Sequence, residues 1–324
     1  MWAHSLVAPA TFARVEVPSL TAADLADGQV LLRTLAGGIC GSDLPYFRGL
    51  RPLFDLPSRH RYAAGIPGFP MHEVVGEILA SRHPDRHPGE RVVGWANTTD
   101  ALAEFVVTGG TSVAPYDPRL APETAVLLQP LACVLYAVRS LPPVAGATVA
   151  VIGQGPIGLL FSHVLKSMGA ARVIGVDRVR RDGVAAQYGV DESVHAVSDR
   201  WAGGLTEGER PRIVVEAVGH HPGPIRDAVE AVAPGGYIMY FGVPDELLSP
   251  FPMWDLLRKN LTVSSGITLD HTSALVEAMS YLDGHPELAD GYVTNVFPAD
   301  QAQAAYDLAA VPAERRLKVV LSMA

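Results

Sequence analysis

Residues 147–160 read Ala-Thr-Val-Ala-Val-Ile-Gly-Gln-Gly-Pro-Ile-Gly-Leu-Leu, and few other stretches constrain a chain so tightly. The run 148–152 is short, apolar and β-branched, as a strand buried on both faces requires. Gly153, Gln154, Gly155, Pro156, Ile157 and Gly158 spell G-x-G-x-x-G, after which Leu159, Leu160, Val164, Leu165 and Met168 recur at helical spacing. Gly153 permits the tight strand-to-helix turn, Gly155 lets a pyrophosphate approach the backbone, and Gly158 lets the helix lie close on the strand. The unpaired N–H groups and positive dipole end of the helix then face the anion.

Alone, such a turn is weak, because many glycine-rich turns bind nothing. Here a second strand over 172–176 runs into Asp177, about 20 residues beyond the last glycine, where an acid accepts hydrogen bonds from the ribose hydroxyls. The stretch therefore reads as a dinucleotide-binding βαβ unit. A carboxylate at 177 repels the 2′-phosphate of NADP, so the expected cofactor is NAD. Arg178, Arg180 and Arg181 follow at once; they soften that preference if they reach the cofactor, and are otherwise solvated or lie along the adenine. Candidate cofactor contacts are Gly153, Gly155, Pro156, Ile157, Gly158, Asp177, Arg178 and Gly242.

The rest of the chain divides around this unit. Up to about residue 122 it shows short strands punctuated by glycine and proline, at 14–17, 29–35, 73–79, 91–95 and 102–107, a mostly β unit with the character of a small irregular barrel. A helical pattern starts near Glu123 (Ala125, Leu128, Leu131, Ala132, Leu135, Val138). Strands at 149–152, 173–176, 193–197, 213–217, 237–241 and 261–264 then alternate with helices, predicting a doubly wound parallel sheet. The tail shows a helix near 272–282, a strand near 295–297, a helix near 300–309 and a terminal strand at 318–321, and is expected to return to the first domain. The expected fold class is thus α/β, a mostly β domain plus a doubly wound nucleotide-binding domain. At 324 residues with 48% hydrophobic side chains, two such domains can bury ample core. The net charge of −9 argues against nucleic acid or anionic membrane as main partner. No apolar run of about 18 residues predicts a membrane span, and no export signal is recognised. With Cys40 and Cys133 alone, a disulfide scaffold is excluded and a reduced, cytoplasmic setting is the default.

Three stretches outside the nucleotide unit carry potential metal ligands: Gly37-Gly-Ile-Cys40-Gly-Ser42-Asp43-Leu-Pro45, Pro67-Gly-Phe-Pro-Met71-His72-Glu73-Val-Val-Gly76, and Leu127-Leu-Gln129-Pro130-Leu-Ala-Cys133. A thiolate, an imidazole and a carboxylate with one position left open make a catalytic zinc site, not a structural one. Such an ion lowers the pKa of a substrate hydroxyl near neutral pH, and hydride then leaves the carbinol carbon for nicotinamide C4. In isolation Cys40 also reads as a small buried hydrophobe, His72 as a satisfied core histidine, Glu73 as an acid behind the site, and Cys133 as helix packing.

Taken with the glycine fingerprint and the Pro234-Gly-Gly-Tyr-Ile turn, these phrases fall in the order of a known family. Over nearly its whole length the chain resembles zinc-dependent medium-chain dehydrogenases/reductases of the alcohol and polyol type, such as sorbitol or threonine dehydrogenases. The resemblance implies a GroES-like catalytic domain over 1–130 and 265–324 and a Rossmann domain over 131–264. It implies zinc ligation by Cys40 and His72, completion by Glu73, and Gln129 where relatives place a glutamate or cysteine, binding directly or through water. Ser42 matches the hydroxyl that receives the alcohol's proton, and Asp43 a buried acid that orients a ligand.

Four departures stand out. The stretch Trp95-Ala-Asn-Thr-Thr-Asp-Ala holds no cysteine, so the family's structural zinc lobe is absent. Pro45 stands where many polyol dehydrogenases have a proton-relaying histidine, Met71 replaces a glycine, and Gln129 removes a negative charge. The segment 48–62, with Arg48, Arg51, Arg59 and Arg61, reads as a solvated loop or as an anion clamp. The expected activity is zinc-dependent, NAD-linked oxidation of a secondary alcohol (a polyol, sugar or cyclitol-like molecule) in a cytoplasmic homodimer or homotetramer. By the resemblance, a dimer would pair the last sheet strand near 261–265. The alternatives are a zinc-free enone or quinone reductase and a non-catalytic NAD-binding relative.

Overall fold

The first part of the chain forms strands because apolar and β-branched residues alternate with polar ones between glycine and proline breaks. They are β1 (Trp2–Ala8), β2 (Thr11–Glu16), β3 (Gln29–Ile39), β4 (Glu73–Ser81), β5 (Arg91–Trp95), β6 (Phe105–Gly109) and β7 (Val113–Pro115). The nucleotide fingerprint opens β8 (Thr148–Ile152), followed by β9 (Arg172–Asp177), β10 (Glu192–His195), β11 (Ile213–Glu216), β12 (Tyr237–Tyr240) and β13 (Thr262–Ser265), and the tail adds β14 (Val293–Pro298) and β15 (Lys318–Ser322). The computed structural model describes residues 1–50, 66–246 and 248–323. Arg51, Arg59 and Arg61 of the arginine-bearing loop lie outside them.

The chain forms two compact units. One comprises Met1–Ala132, Leu269–Pro312 and Arg316–Ala324, the other Cys133–Thr268 with Ala313–Arg315. In the first, β14-β15-β3-β4-β5-β7 make one sheet, with β6 also paired to β3, while β1 and β2 form a separate antiparallel ribbon. Strand β3 is the hub, antiparallel to β15, β4 and β6. Its residues are buried on both faces over most of its length, with Arg33 the exposed exception. Its core includes Val30, Leu32, Val74, Ile78, Val106, Tyr306 and Val319. The tail does return to this unit through β15.

In the second unit the order β10-β9-β8-β11-β12-β13 is parallel throughout. This is the predicted doubly wound sheet, with its change of direction between β8 and β11. Ala150, Ile152, Ile174, Val176, Val214 and Ile238 supply the core. The predicted helix from Glu123 forms as two pieces, Pro122–Ala125 and Leu128–Val138. Among the described residues no helix is long and apolar enough to cross a membrane.

Candidate active site and coenzyme site

Sheet register assembles the first cluster. Val319 faces Ile39, Val320 faces Gly38, and Gly38 faces Glu73. Side chains alternate along a strand, so Lys318, Glu73 and Cys40, one residue past β3, share a face. His72 stands just before β4. One ligand atom each from Cys40, His72 and Glu73 lies within 4.8 Å of the others.

Every member has a defined partner. Asp43, buried, accepts the Cys40 backbone N–H at 2.9 Å through Oδ2 and sits 2.8 Å from His72 Nδ1 through Oδ1. This occupies Nδ1 and leaves Nε2 for the cluster. Burial works against the imidazolium, but the Asp43 carboxylate and Cys40 outweigh it and hold His72 well above the usual imidazole value.

Glu73 is 1% exposed, and both its oxygens accept from Lys318 Nζ, at 2.6 and 2.8 Å. Burial lowers the Lys318 pKa, but the charges of Glu73, Cys40 and Asp43 prevail and raise it. A Cβ at Gly38 would overlap Glu73 Oε2, so glycine there makes room for the carboxylate.

Tyr306 is fully buried and donates its hydroxyl proton to the Pro70 carbonyl. Burial and the negative groups Asp43, Cys40 and Glu73 push its pKa well above the usual phenol value. Lys318 and Tyr306 have no counterpart in the sequence reading. A cation opening an otherwise apolar terminal strand is the signal for Lys318; nothing local singles out Tyr306.

The remaining candidates divide. Ser42 lies half-buried between Cys40 and Asp43. Gln129 is buried in the first turn of the helix Leu128–Val138. Just before that helix, Val126 would contact a Cβ at Gly38. Met71 is fully buried in the core, its sulfur filling the space a Cβ at Gly37 would take. Cys133 does not simply pack in the helix core: it is half-buried and lines a pocket with Tyr136, Met239, Phe241 and Ile267, because its helix face looks onto the ends of β12 and β13.

The donor set suits zinc. Tetrahedral ligands at ~2.0–2.3 Å from the ion stand roughly 3.5 Å apart, a modest tightening of the cluster. What argues against a free third ligand is the Lys318 ammonium already on Glu73.

In the second unit two of the three fingerprint glycines, Gly153 and Gly158, are required by the fold itself. Gly153 has φ +89°. Nothing lies within 4 Å of a Cβ built at Gly155, leaving a cradle at the N-cap of the helix Pro156–Ser167. A Cβ at Gly158 would overlap the Gly153 carbonyl. Pro156 sits in the first turn, where its missing N–H costs nothing, and Ile157 follows it.

Asp177 closes the turn, accepting the Gln154 N–H at 2.8 Å and the Val179 N–H at 2.7 Å. Arg178 is exposed, whereas Arg181 is 5% exposed and so not solvated. It donates to the carbonyls of Ala313 and Glu314 at 2.9 and 3.2 Å, and its Nε lies 3.7 Å from Asp177. Those carbonyls come from the tail, which the local sequence does not show. Gly242 follows β12, packed on Gly219.

A parallel sheet with a glycine turn at its change of direction, and a sulfur–imidazole–carboxylate cluster on a β domain, together define a dehydrogenase architecture. Residues 156–282 match the family described as zinc-binding dehydrogenase, and residues 26–116 that described as alcohol dehydrogenase GroES-like domain. The chain is 24% identical over 318 residues to D-arabinitol dehydrogenase 1 of Uromyces fabae, covering 86% of each sequence. It is 27% identical over 326 residues to D-altritol 5-dehydrogenase of Agrobacterium fabrum, covering 89% of this chain and 90% of that one. Its fold is similar to alcohol dehydrogenase TADH from Thermus sp. ATN1, with TM-score 0.82, 25% identity and full coverage of both chains. The chain belongs to the medium-chain dehydrogenase/reductase family of zinc-type alcohol and polyol dehydrogenases.

Proposed function

We propose that this chain is a zinc-dependent, NAD-linked dehydrogenase of secondary alcohols whose substrate is a polyol, sugar or cyclitol-like molecule. Family membership carries the oxidoreductase activity, and the polyol relatives point to the substrate class. The observation that carries the zinc reading is the convergence of Cys40, His72 and Glu73 within 4.8 Å, with Asp43 fixing the imidazole. These three residues would hold the ion, and Gln129 is the neutral candidate for a further position, direct or through water. When bound, zinc supplies Lewis-acid polarisation of the substrate hydroxyl. Asp43 keeps His72 in one tautomer and orientation. Lys318 compensates the charge of Glu73, both side chains being removed from water. Ser42 would take the alcohol's proton while its own hydroxyl proton passes to solvent or another group, since Pro45 offers no onward relay.

NAD is favoured over NADP by the Asp177 carboxylate, although the Arg181 guanidinium 3.7 Å away tempers its charge. Gly153, Gly155, Pro156, Ile157, Gly158, Arg178 and Gly242 form the expected coenzyme contacts. A content of only two cysteines favours a reducing, cytoplasmic setting. A homo-oligomer, dimer or tetramer, is supported by the edge strand β13, where Val263 is 37% exposed, and by the neighbouring helix Met253–Arg258, where Trp254 and Leu257 are 69% and 71% exposed.

The test is metal analysis of protein purified without chelator, beside NADH and NADPH formation across a panel of polyols and sugars. Stoichiometric zinc, lost in Cys40→Ser together with alcohol oxidation, is the expected result. A metal-free protein that reduces an enone would reverse the reading in favour of a zinc-free reductase. The Lys318 ion pair, which already neutralises Glu73, is the one observation on that side.

A further inference from the structure

Glu216 ends β11 with no exposed surface, an unusual place for an acid. Its Oε1 accepts the N–H groups of Val218 at 2.8 Å and Gly219 at 2.9 Å. Its main-chain carbonyl accepts those of Phe241 at 2.9 Å and Gly242 at 3.1 Å. One residue therefore ties together the loops that leave β11 and β12. Among the described residues Oε2 has no hydrogen-bond partner, and it would lie 2.6 Å from a Cβ at Gly242.

The two loops are stitched further. His220 donates its N–H to Val243 O at 2.8 Å, and its Nδ1 lies 3.0 Å from Asp245 Oδ1. A Cβ at Gly242 would overlap the Gly219 backbone, so the loops meet only because glycine occupies both positions. His220 itself has φ +66°, a left-handed conformation that a histidine holds only under constraint.

This assembly faces the glycine turn. A Cβ at Gly153 would lie 2.7 Å from Val218 Cγ2, so the 217–219 loop walls the turn on the β11 side. In a doubly wound sheet, Asp177 at the end of β9 marks the adenosine half, and the pyrophosphate crosses at the helix N-terminus. The β11–β12 side is then left to the nicotinamide half.

We propose that Glu216 is a positioning residue for the nicotinamide half of the coenzyme, its carboxylate fixing the loop after β11 against the loop after β12 that its main-chain carbonyl holds, so that the two form the wall of the groove. The inference rests on the dinucleotide reading of the glycine turn. It makes a prediction that general destabilisation does not: loss should depend on which part of the ligand is present.

The experiment is fluorescence titration of NADH, with ADP-ribose and AMP as competitors lacking nicotinamide, on wild type, Glu216→Ala, Glu216→Gln and Gly219→Ala. Glu216→Ala is expected to weaken NADH about tenfold, the loss of hydrogen bonds to a charged acceptor, while ADP-ribose and AMP bind as before. Glu216→Gln should recover most of the affinity, because its amide oxygen accepts from the same two N–H groups. Gly219→Ala, whose Cβ would overlap the Val243 backbone and force the loops apart with Glu216 in place, should reproduce the selective loss and carries the test if Glu216→Ala does not fold. Equal weakening of all three ligands, or unchanged NADH affinity, overturns the proposal. A wild type that binds AMP but neither ADP-ribose nor NADH overturns the dinucleotide reading beneath it.

Discussion

Lys318 and Glu73 are both removed from water, at 2% and 1% exposure, and each is tolerable only because of the other. Lys318→Met should leave a buried carboxylate unpaired and cost about 3–5 kcal/mol, read by urea unfolding. The double substitution Lys318→Met/Glu73→Leu should recover much of that loss, since both charges go together. A single substitution with no effect on the unfolding midpoint would mean that Glu73 is not held as a charge.

His4 behaves differently. It is 5% exposed among Trp2 and Phe12, and its Nε2 has no hydrogen-bond partner among the described residues. Burial, reinforced by Arg14, lowers its pKa below 6.5 against the opposing Ala299 carbonyl and Asp300. A depressed histidine contributes stability that is present above the unfolded pKa and is lost as pH falls through the folded one. The melting temperature of wild type should therefore drop relative to His4→Phe as pH goes from 7 to 5. Parallel curves would refute the assignment.

Among elements, the glycine turn offers the sharpest test. Gly158→Ala places a methyl on the Gly153 carbonyl, so the helix Pro156–Ser167 cannot dock at its present distance. NADH affinity by fluorescence titration should fall at least tenfold, and unchanged affinity would contradict the close-packing role of the third glycine. The four inner strands of the parallel sheet were legible to within a residue or two because they are largely apolar runs. The edges were less so. Strand β1 carries His4 and Ser5, both buried, in a stretch where polarity suggests none. The strand predicted at 102–107 instead spans Phe105–Gly109, because Ala103 bridges to Ala3 and the apolar run marks burial rather than ladder.

For the molecule as a whole, the unpaired edge of β13 and its apolar neighbours predict self-association. Val263→Lys combined with Leu257→Lys should shift the native mass by light scattering toward the monomer, leaving Cys40 and His72 untouched. An unchanged mass would exclude this edge as the interface.

The chain's own letters determined the two-part architecture, the glycine turn with Asp177, and the pairing of Cys40 with His72 as candidates, because periodicity, glycine spacing and donor chemistry are local properties. Folding alone decided how Glu73 is used: its partner lies 245 residues away, and only sheet register brings an ammonium to it. Tyr306 beneath the cluster, Arg181 captured by the tail, and Glu216 between two loops share that cause. A charge or hydroxyl deprived of water takes whatever partner packing supplies, and packing unites residues that sequence distance keeps apart.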